Sequence, residues 1–285
     1  MITKILKSAL HFLLLGTSLA IGNDGIKDLP LEPTPSKTEV ISESHTSFFS
    51  YNYTSFDEYN SNDVDFTNGY KIKGGGLHRI GIGGRDADGS GGMLSYSFSD
   101  DILLSGRGNF YLGGFGDFDI KMKRYEIDIV GFQANKKYND HFGLKFIRLE
   151  REYSYRRISG ITQTQTFDIS SNYLGFFFGW GANDPIFKDS PELTLFWSVQ
   201  PMIMWGFMDK MAVGYSGVVY REEDWESSSK EYTHEFVLGG NGAVGIQFHL
   251  GENASTGVGY KSQYLEGGDM KDFYHGWMFS AIFRF

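Results

Sequence analysis

The sequence predicts an all-β fold, an antiparallel up-and-down barrel whose strands cross a membrane, and three observations carry that prediction. From Phe48 onward, segments of ten or more residues alternate large apolar side chains with small or polar ones, separated by clusters of turn residues. That two-residue period marks strands with two unlike faces, and ten residues exceed the ~5–6 typical of soluble sheets. The 285 residues include 47 Tyr, Phe and Trp, 37 Gly and only 6 Pro. Aromatic residues favour strands, and glycine favours turns, bulges and close backbone contacts. Finally, the polar faces carry charges in mid-segment at Arg107, Glu126, Asp128, Lys145, Glu235 and Lys261. A soluble sandwich buries its apolar face and keeps its strands short. A membrane barrel turns that face to lipid and lines its interior with the polar one. The mean hydropathy of −0.29 is no objection, because alternation dilutes the average.

The chain opens with MITKILKSALHFLLLGTSLA. Lys4 and Lys7 form a basic start, an apolar core follows, and Ser18 and Ala20 supply the small residues a signal peptidase needs. Residues 1–20 are therefore expected to be a cleaved secretory signal. The apolar run is too short for a helical anchor, which needs ~20 residues. Residues 21–46, with Pro30, Pro33 and Pro35 and little apolar content, read as a disordered leader. The barrel is expected to occupy 47–285.

Twelve alternating segments fill that span: 47–55, 67–82, 90–98, 101–111, 120–136, 141–155, 162–180, 191–207, 211–221, 231–250, 254–264 and 273–285. Ser99-Asp100-Asp101 reads as a turn between the third and fourth, and Gly251-Glu252-Asn253 as one between the tenth and eleventh. The cleanest segment is HEFVLGGNGAVGIQFHL, 234–250. It sets Phe236, Leu238, Val244, Ile246 and Phe248 against Glu235, Asn241, Gln247 and His249. A ten-strand alternative assigns 47–70 to the leader and merges 191–221 into one long strand. Both counts are even, as single-chain bacterial barrels require.

Composition excludes several chemistries. There is no Cys, so disulfides, zinc-thiolate sites, thiol nucleophiles and a cysteine-linked lipid are ruled out. Net charge is −9 for the whole chain, and loss of Lys4 and Lys7 with the signal makes it more acidic. That balance argues against a nucleic-acid partner, which requires clustered cations. Beyond the first twenty residues no apolar run approaches the length of a helical span.

The final segment, HGWMFSAIFRF, places Trp277, Phe279, Phe283 and Phe285 at alternate positions. It resembles the C-terminal signature of Gram-negative outer-membrane β-barrels. The resemblance implies that the barrel assembly machinery reads these four residues and that the lipid bilayer is a partner; lipopolysaccharide is a partner only on the phosphate-contact reading of the arginine cluster at 148–157. It identifies no subfamily and implies no cofactor.

Four motifs invite sharper readings. Asp86-Ala87-Asp88-Gly89-Ser90-Gly91 matches the first half of a calcium loop, but Ser97 stands where a closing Glu is needed, so a hairpin connection is expected. Arg148, Arg151, Arg156 and Arg157 form a basic cluster that reads either as an ion-pair ladder with Glu150 and Glu152 or as a phosphate contact. His234 and His275, with Asp224 or Asp269, are the best candidates for hydrolysis, without a recognisable motif around them. Asp63, Asp65, Glu222, Glu223, Asp224 and Glu226 form acidic stretches that are solvated faces or, at a pore mouth, a cation filter.

The leading expectation is a non-enzymatic, porin-like channel for small solutes. Its lumen is expected to be lined by Arg107, Glu126, Asp128, Lys145, Gln200, Glu235, Asn241, Lys261 and Arg284, with no metal. The alternatives are a closed structural or adhesion barrel and an outer-membrane hydrolase. A barrel of ~8 strands is filled by side chains and one of 16 leaves a channel, so the interior packing decides between them.

Overall fold

A run of alternating residues can satisfy its backbone hydrogen bonds in a membrane only if the sheet closes on itself. In the computed structural model it does. The structure describes residues 45–60, 64–73, 75–110, 114–134, 139–157, 163–187, 190–216, 230–268 and 270–285. The expected signal and nearly all of the leader lie outside them. Thirteen strand segments follow in chain order: β1 (Thr46–Ser55), β2 (Glu58–Asn60), β3 (Val64–Lys73), β4 (Gly76–Arg85), β5 (Gly91–Ser99), β6 (Ile102–Phe110) and β7 (Gly114–Ala134), then β8 (Asn139–Arg157), β9 (Gln163–Phe187), β10 (Ser190–Ser216), β11 (Lys230–His249), β12 (Ala254–Gly267) and β13 (Met270–Arg284).

These make ten staves, not twelve. β1 and β2 both pair with β13. β3 and β4 pair with β6 and β5 respectively, and β5 and β6 lie end to end along β7. The remaining staves are unbroken, and β1–β13 together with β7–β8 closes the ring. The twelve-strand expectation is corrected at two places. Residues 191–221 contain one stave, β10, as in the ten-strand alternative, and 90–111 contain another. The turn-like composition of Ser99-Asp100-Asp101 is what divides the latter in the sequence. Residues 47–55, which the alternative gives to the leader, are barrel strand.

Asp100 and Asp101 in fact belong to a bulge. Phe98 pairs with Tyr125 and Ile102 with Met122, so four steps on one strand face three on the other. The first stave has a matching extra residue: Thr54 pairs with Met278 and Glu58 with His275. The break between β3 and β4 stands beside both, since Ser55 pairs with Gly76 and Leu77 with Ser99. Three consecutive staves are thus broken at one level. A bulge reverses which face later residues point to, and these bulges reverse the faces of β2 and β6. Following the register once around the barrel displaces the chain by about a dozen residues, a stagger that tilts the strands by roughly 40°.

The outer surface changes character along the staves. On the half nearer the first and last described residues, Ile82, Leu94, Phe176, Val199, Phe248, Phe279 and Phe283 point outward and are exposed, an apolar belt suited to lipid. On β7 to β10 this belt ends in register. Tyr125, Arg148, Asn172 and Phe207 are successive cross-strand partners, and the next outward row is Lys123, Glu150, Ser170 and Asp209. β9 and β10 have 25 and 27 residues, whereas ~10 suffice to cross a bilayer. The staves therefore project well beyond the membrane at this end.

The interior inverts in step. Inside the belt it holds Ser95, Ser97, Glu126, Asp128, Lys145, Gln247 and Lys261; inside the projecting half it holds Ile102, Leu104, Phe118, Ile120, Met122, Leu149 and Met208, all buried. One barrel thus has a membrane half, apolar outside and mainly polar within, and a projecting half patterned like a water-soluble protein.

Candidate functional site in the lumen and on the projecting wall

Where the two halves meet, a chain of ion pairs crosses the lumen. Alternation along β7 aims Arg124, Glu126 and Asp128 inward. The Arg124 guanidinium donates to Glu126 at 2.5 Å and to Asp272 of β13 at 2.7 Å. β7 and β13 are not neighbours in the sheet, so the second bond spans the interior. The ring of Tyr274 lies under the guanidinium, 4.6 Å from its carbon. Lys145 of β8 donates to Glu126 at 2.6 Å and to Asp128 at 2.9 Å. Arg79 of β4 lies 3.1 Å from Asp128 and donates to Ser95 at 2.9 Å. A second bridge, Arg151 to the Tyr59 hydroxyl at 3.2 Å and to Ser171 at 2.6 Å, crosses inside the projecting half.

Each carboxylate is held by at least one buried cation, as desolvated charges require. The arrangement fills space and fixes the staves. Arg124, Tyr59, Tyr153, Tyr173, Tyr274, Phe118 and Phe196 are fully buried. A cavity of about 40 Å³ lies in the membrane half between Arg79, Asp128, Lys145, Gln200, Asn241 and Lys261. Side chains from non-neighbouring staves thus meet inside the barrel at this level.

The structure gathers much of the expected lining. Glu126, Asp128 and Lys145 meet in the ion-pair chain, and Lys261, Gln200 and Asn241 line the cavity beside it. Glu235 and Arg284 stand on the inward side near opposite ends, the latter donating to the Glu252 carbonyl at 2.7 Å. Arg107 is a correction. Its side chain is half exposed on the outer face, paired with Asp117 at 2.8 Å. Simple alternation from Ser97 carries position 107 inside, and the bulge at Asp100–Asp101 turns it out.

Sequence reasoning missed Arg79, Arg124 and Asp272, and did not foresee that Arg151 of the basic cluster points inward. The signal for Arg124 was available, since it stands two residues before Glu126 and shares its face. Nothing local marks Asp272 as its partner 148 residues away.

Trp277, Phe279 and Phe283 point outward and are exposed, and the Phe285 ring is 79% exposed. The Phe285 amide and carbonyl each bond Ser47, at 3.0 and 3.1 Å. The basic cluster divides: Arg148 pairs with Glu150 at 2.7 Å on the wall, while Arg151 points inward. In the Asp86–Gly91 connection, Ser90 donates to the Asp88 carboxylate, and the Asp86 carboxylate bonds the His45 ring at 2.7 Å, while Gly89 takes φ of 81°. His234 stacks edge-on against Phe207. His275 bonds Tyr260 and, at 2.6 Å, Glu58. The two histidines stand on β11 and β13 with β12 between them. Asp65 pairs with Asn109 along β3. Asp63, Glu222, Glu223, Asp224, Glu226 and Asp269 lie outside the described residues.

On the wall, Lys121 and Lys123 both reach Asp101, at 2.9 and 3.5 Å. Beside them a shallow depression of about 390 Å³ runs over Glu150, Glu152, Asp168 and Asp209. Glu152 and Asp168 are cross-strand partners. Burial, and then the charge of Glu152, hold the Asp168 carboxyl above its ordinary range.

No protein-family model matches the chain, and no curated protein does. Solved structures do. The translocator domain of the autotransporter NalP from Neisseria meningitidis is 7% identical over 84% of this chain and 88% of its own, with a TM-score of 0.50. A major outer membrane protein from Thermus thermophilus is 14% identical over 84% of this chain and 99% of its own, with a TM-score of 0.38. Neisserial surface protein A is 11% identical over 84% and 94%, with a TM-score of 0.28. At such identities the likeness to the first is one of fold, which agrees with the closed ring and outward apolar belt. The chain is a transmembrane β-barrel of the outer-membrane type.

Proposed function

We propose that this is a closed, non-enzymatic barrel that acts from its projecting half instead of conducting solutes through its lumen. The observation that carries this reading is the Arg124 guanidinium, 0% exposed and bonded across the lumen to Asp272 above the ring of Tyr274. A porin-like passage needs continuous water along its axis, and a dehydrated ion pair spanning that axis does not supply it. Of the alternatives weighed from the sequence, the structural or adhesion barrel fits best.

The working surface is then the projecting wall and the connections it carries. With even stave number and short connections at the opposite end, the projecting end is the extracellular one. Between β10 and β11 the sequence carries Glu222, Glu223, Asp224 and Glu226 within residues 217–229, which suits a cationic partner surface. Planar-bilayer recording of the purified protein tests the closed lumen. Flat current is expected, and stepwise conductance overturns the reading. Removal of 218–228 is expected to leave the barrel folded and to abolish attachment of expressing cells to a polylysine-coated surface. Unchanged attachment counts against the acidic connection as the contact.

A further inference from the structure

We propose that Lys261 holds a small monovalent anion, a halide, in the lumenal cavity. The charges around it do not balance among themselves. Four cations face one another across this part of the interior: Arg79, Arg124, Lys145 and Lys261. They meet three carboxylates, Glu126, Asp128 and Asp272. Arg79 and Lys145 share Asp128 at 3.1 and 2.9 Å, Lys145 and Arg124 share Glu126 at 2.6 and 2.5 Å, and Arg124 takes Asp272 at 2.7 Å. Lys261 is left over. Its side chain is 9% exposed, and among the described residues no carboxylate lies within ion-pair distance of its ammonium. Its one ring contact is Tyr274, whose centre is 5.8 Å away, a long cation–π approach. A buried ammonium without a counter-charge either binds an anion or gives up its proton.

The space beside it is suited to the former. Lys261 lines the cavity of about 40 Å³ together with Arg79, Lys145, Gln200 and Asn241. These supply cationic and amide N–H donors from five different staves, with Asp128 already engaged by two of the cations. Room of this size for water-sized spheres admits a bare halide. One monovalent anion also makes the interior cluster neutral, which a low-dielectric site favours.

The test is unfolding of the refolded barrel in detergent at constant ionic strength, in sodium chloride, sodium bromide or sodium gluconate, for the wild type and for Lys261→Met. The wild type is expected to show a saturable rise of its midpoint with chloride or bromide over gluconate, and Lys261→Met to show none. Bromide-soaked crystals of the wild type are expected to give an anomalous peak at the cavity. That measurement decides the matter even where Lys261→Met fails to fold. Equal midpoints in all three salts, with no bromide peak, overturn the proposal and leave Lys261 uncharged or satisfied by water.

Discussion

The ring of Phe196 lies across Gly245, its cross-strand partner on β11, and its far edge reaches Gly259 on β12. A Cβ at Gly245 would stand 2.4 Å from the Val258 carbonyl oxygen and 2.6 Å from the ring, and one at Gly259 2.5 Å from the Val244 carbonyl oxygen and 2.8 Å from the ring. The small residues of the lumen are thus sockets for rings from neighbouring staves. Gly245→Val is expected to lower stability by about 1–3 kcal/mol, as overpacking does. Phe196→Ala removes the ring and is expected to lower it by about 3–5 kcal/mol. Urea midpoints in detergent micelles measure both. A Gly245→Val midpoint equal to wild type would mean that both the ring and the neighbouring backbone of β12 give way at little cost.

That socket shows what was readable in the sequence. The parity of 234–250 put Glu235, Asn241 and Gly245 on one face and Phe236, Val244 and Phe248 on the other, and the strand bears this out residue by residue. Parity is a local property and survives wherever a strand is regular. It fails at a bulge, because one unpaired residue reverses everything after it, and Arg107 therefore falls on the wrong face of a simple alternation. It is also silent on length. Ser99-Asp100-Asp101 has the composition of a hairpin turn, and only the pairing of β7 with both β5 and β6 shows the chain continuing. Whether the lumen was open could not be read at all. The closing contact, Arg124 with Asp272, joins residues on opposite sides of the ring.

In the proposed closed barrel, Arg124 is the residue on which closure depends. Arg124→Met deprives Asp272 of its ion pair across the lumen and leaves Glu126 with Lys145. Loss of one partner from a buried cluster costs about 3–5 kcal/mol. Asp272→Asn in the Arg124→Met background is expected to recover part of that loss, because the stranded charge is then gone. A double-mutant cycle on unfolding midpoints gives the coupling, and simple additivity would show that the two side chains do not interact.

Ile203 and Asp209 lie on the same outward face of β10, one in the belt and one beyond its edge. Ile203→Arg is expected to destabilise the barrel in lipid vesicles by about 2–4 kcal/mol, and Asp209→Arg by about 0–1 kcal/mol, following the depth dependence of charge on a lipid-facing strand. Equal losses at the two positions would move the membrane boundary. Trp205 and Trp277, both exposed in the belt, should in turn be quenched by lipids brominated on their acyl chains.

The raised carboxyl of Asp168 gives a pH dependence with a definite sign. Its folded form holds a proton more tightly than the unfolded chain, owing to burial first and Glu152 second. Protonation therefore favours folding, and the unfavourable contribution present at neutral pH fades as pH falls through the carboxylate range. Asp168→Asn is expected to be slightly more stable than wild type at about pH 7, with the difference shrinking towards about pH 4. Because the group is partly solvated, the gain should stay within about 0.5 kcal/mol. A difference that grows on acidification reverses the assignment.

Phe285 allows assembly to be separated from stability. Its backbone makes two hydrogen bonds to Ser47, closing the first stave on the last at this end of the barrel. Its ring is 79% exposed and contributes little interior packing. Phe285→Ser keeps the backbone pairing and removes only the ring, whereas deletion of Phe285 removes both. If the ring is an assembly signal, both variants should insert poorly into the outer membrane of cells, while Phe285→Ser refolds in detergent with a midpoint within about 0.5 kcal/mol of wild type. If the residue acts only through its backbone, Phe285→Ser should insert normally and the deletion alone should suffer in both settings. Outer-membrane fractionation beside detergent refolding distinguishes the two, and normal insertion of Phe285→Ser would remove the ring from the assembly signal.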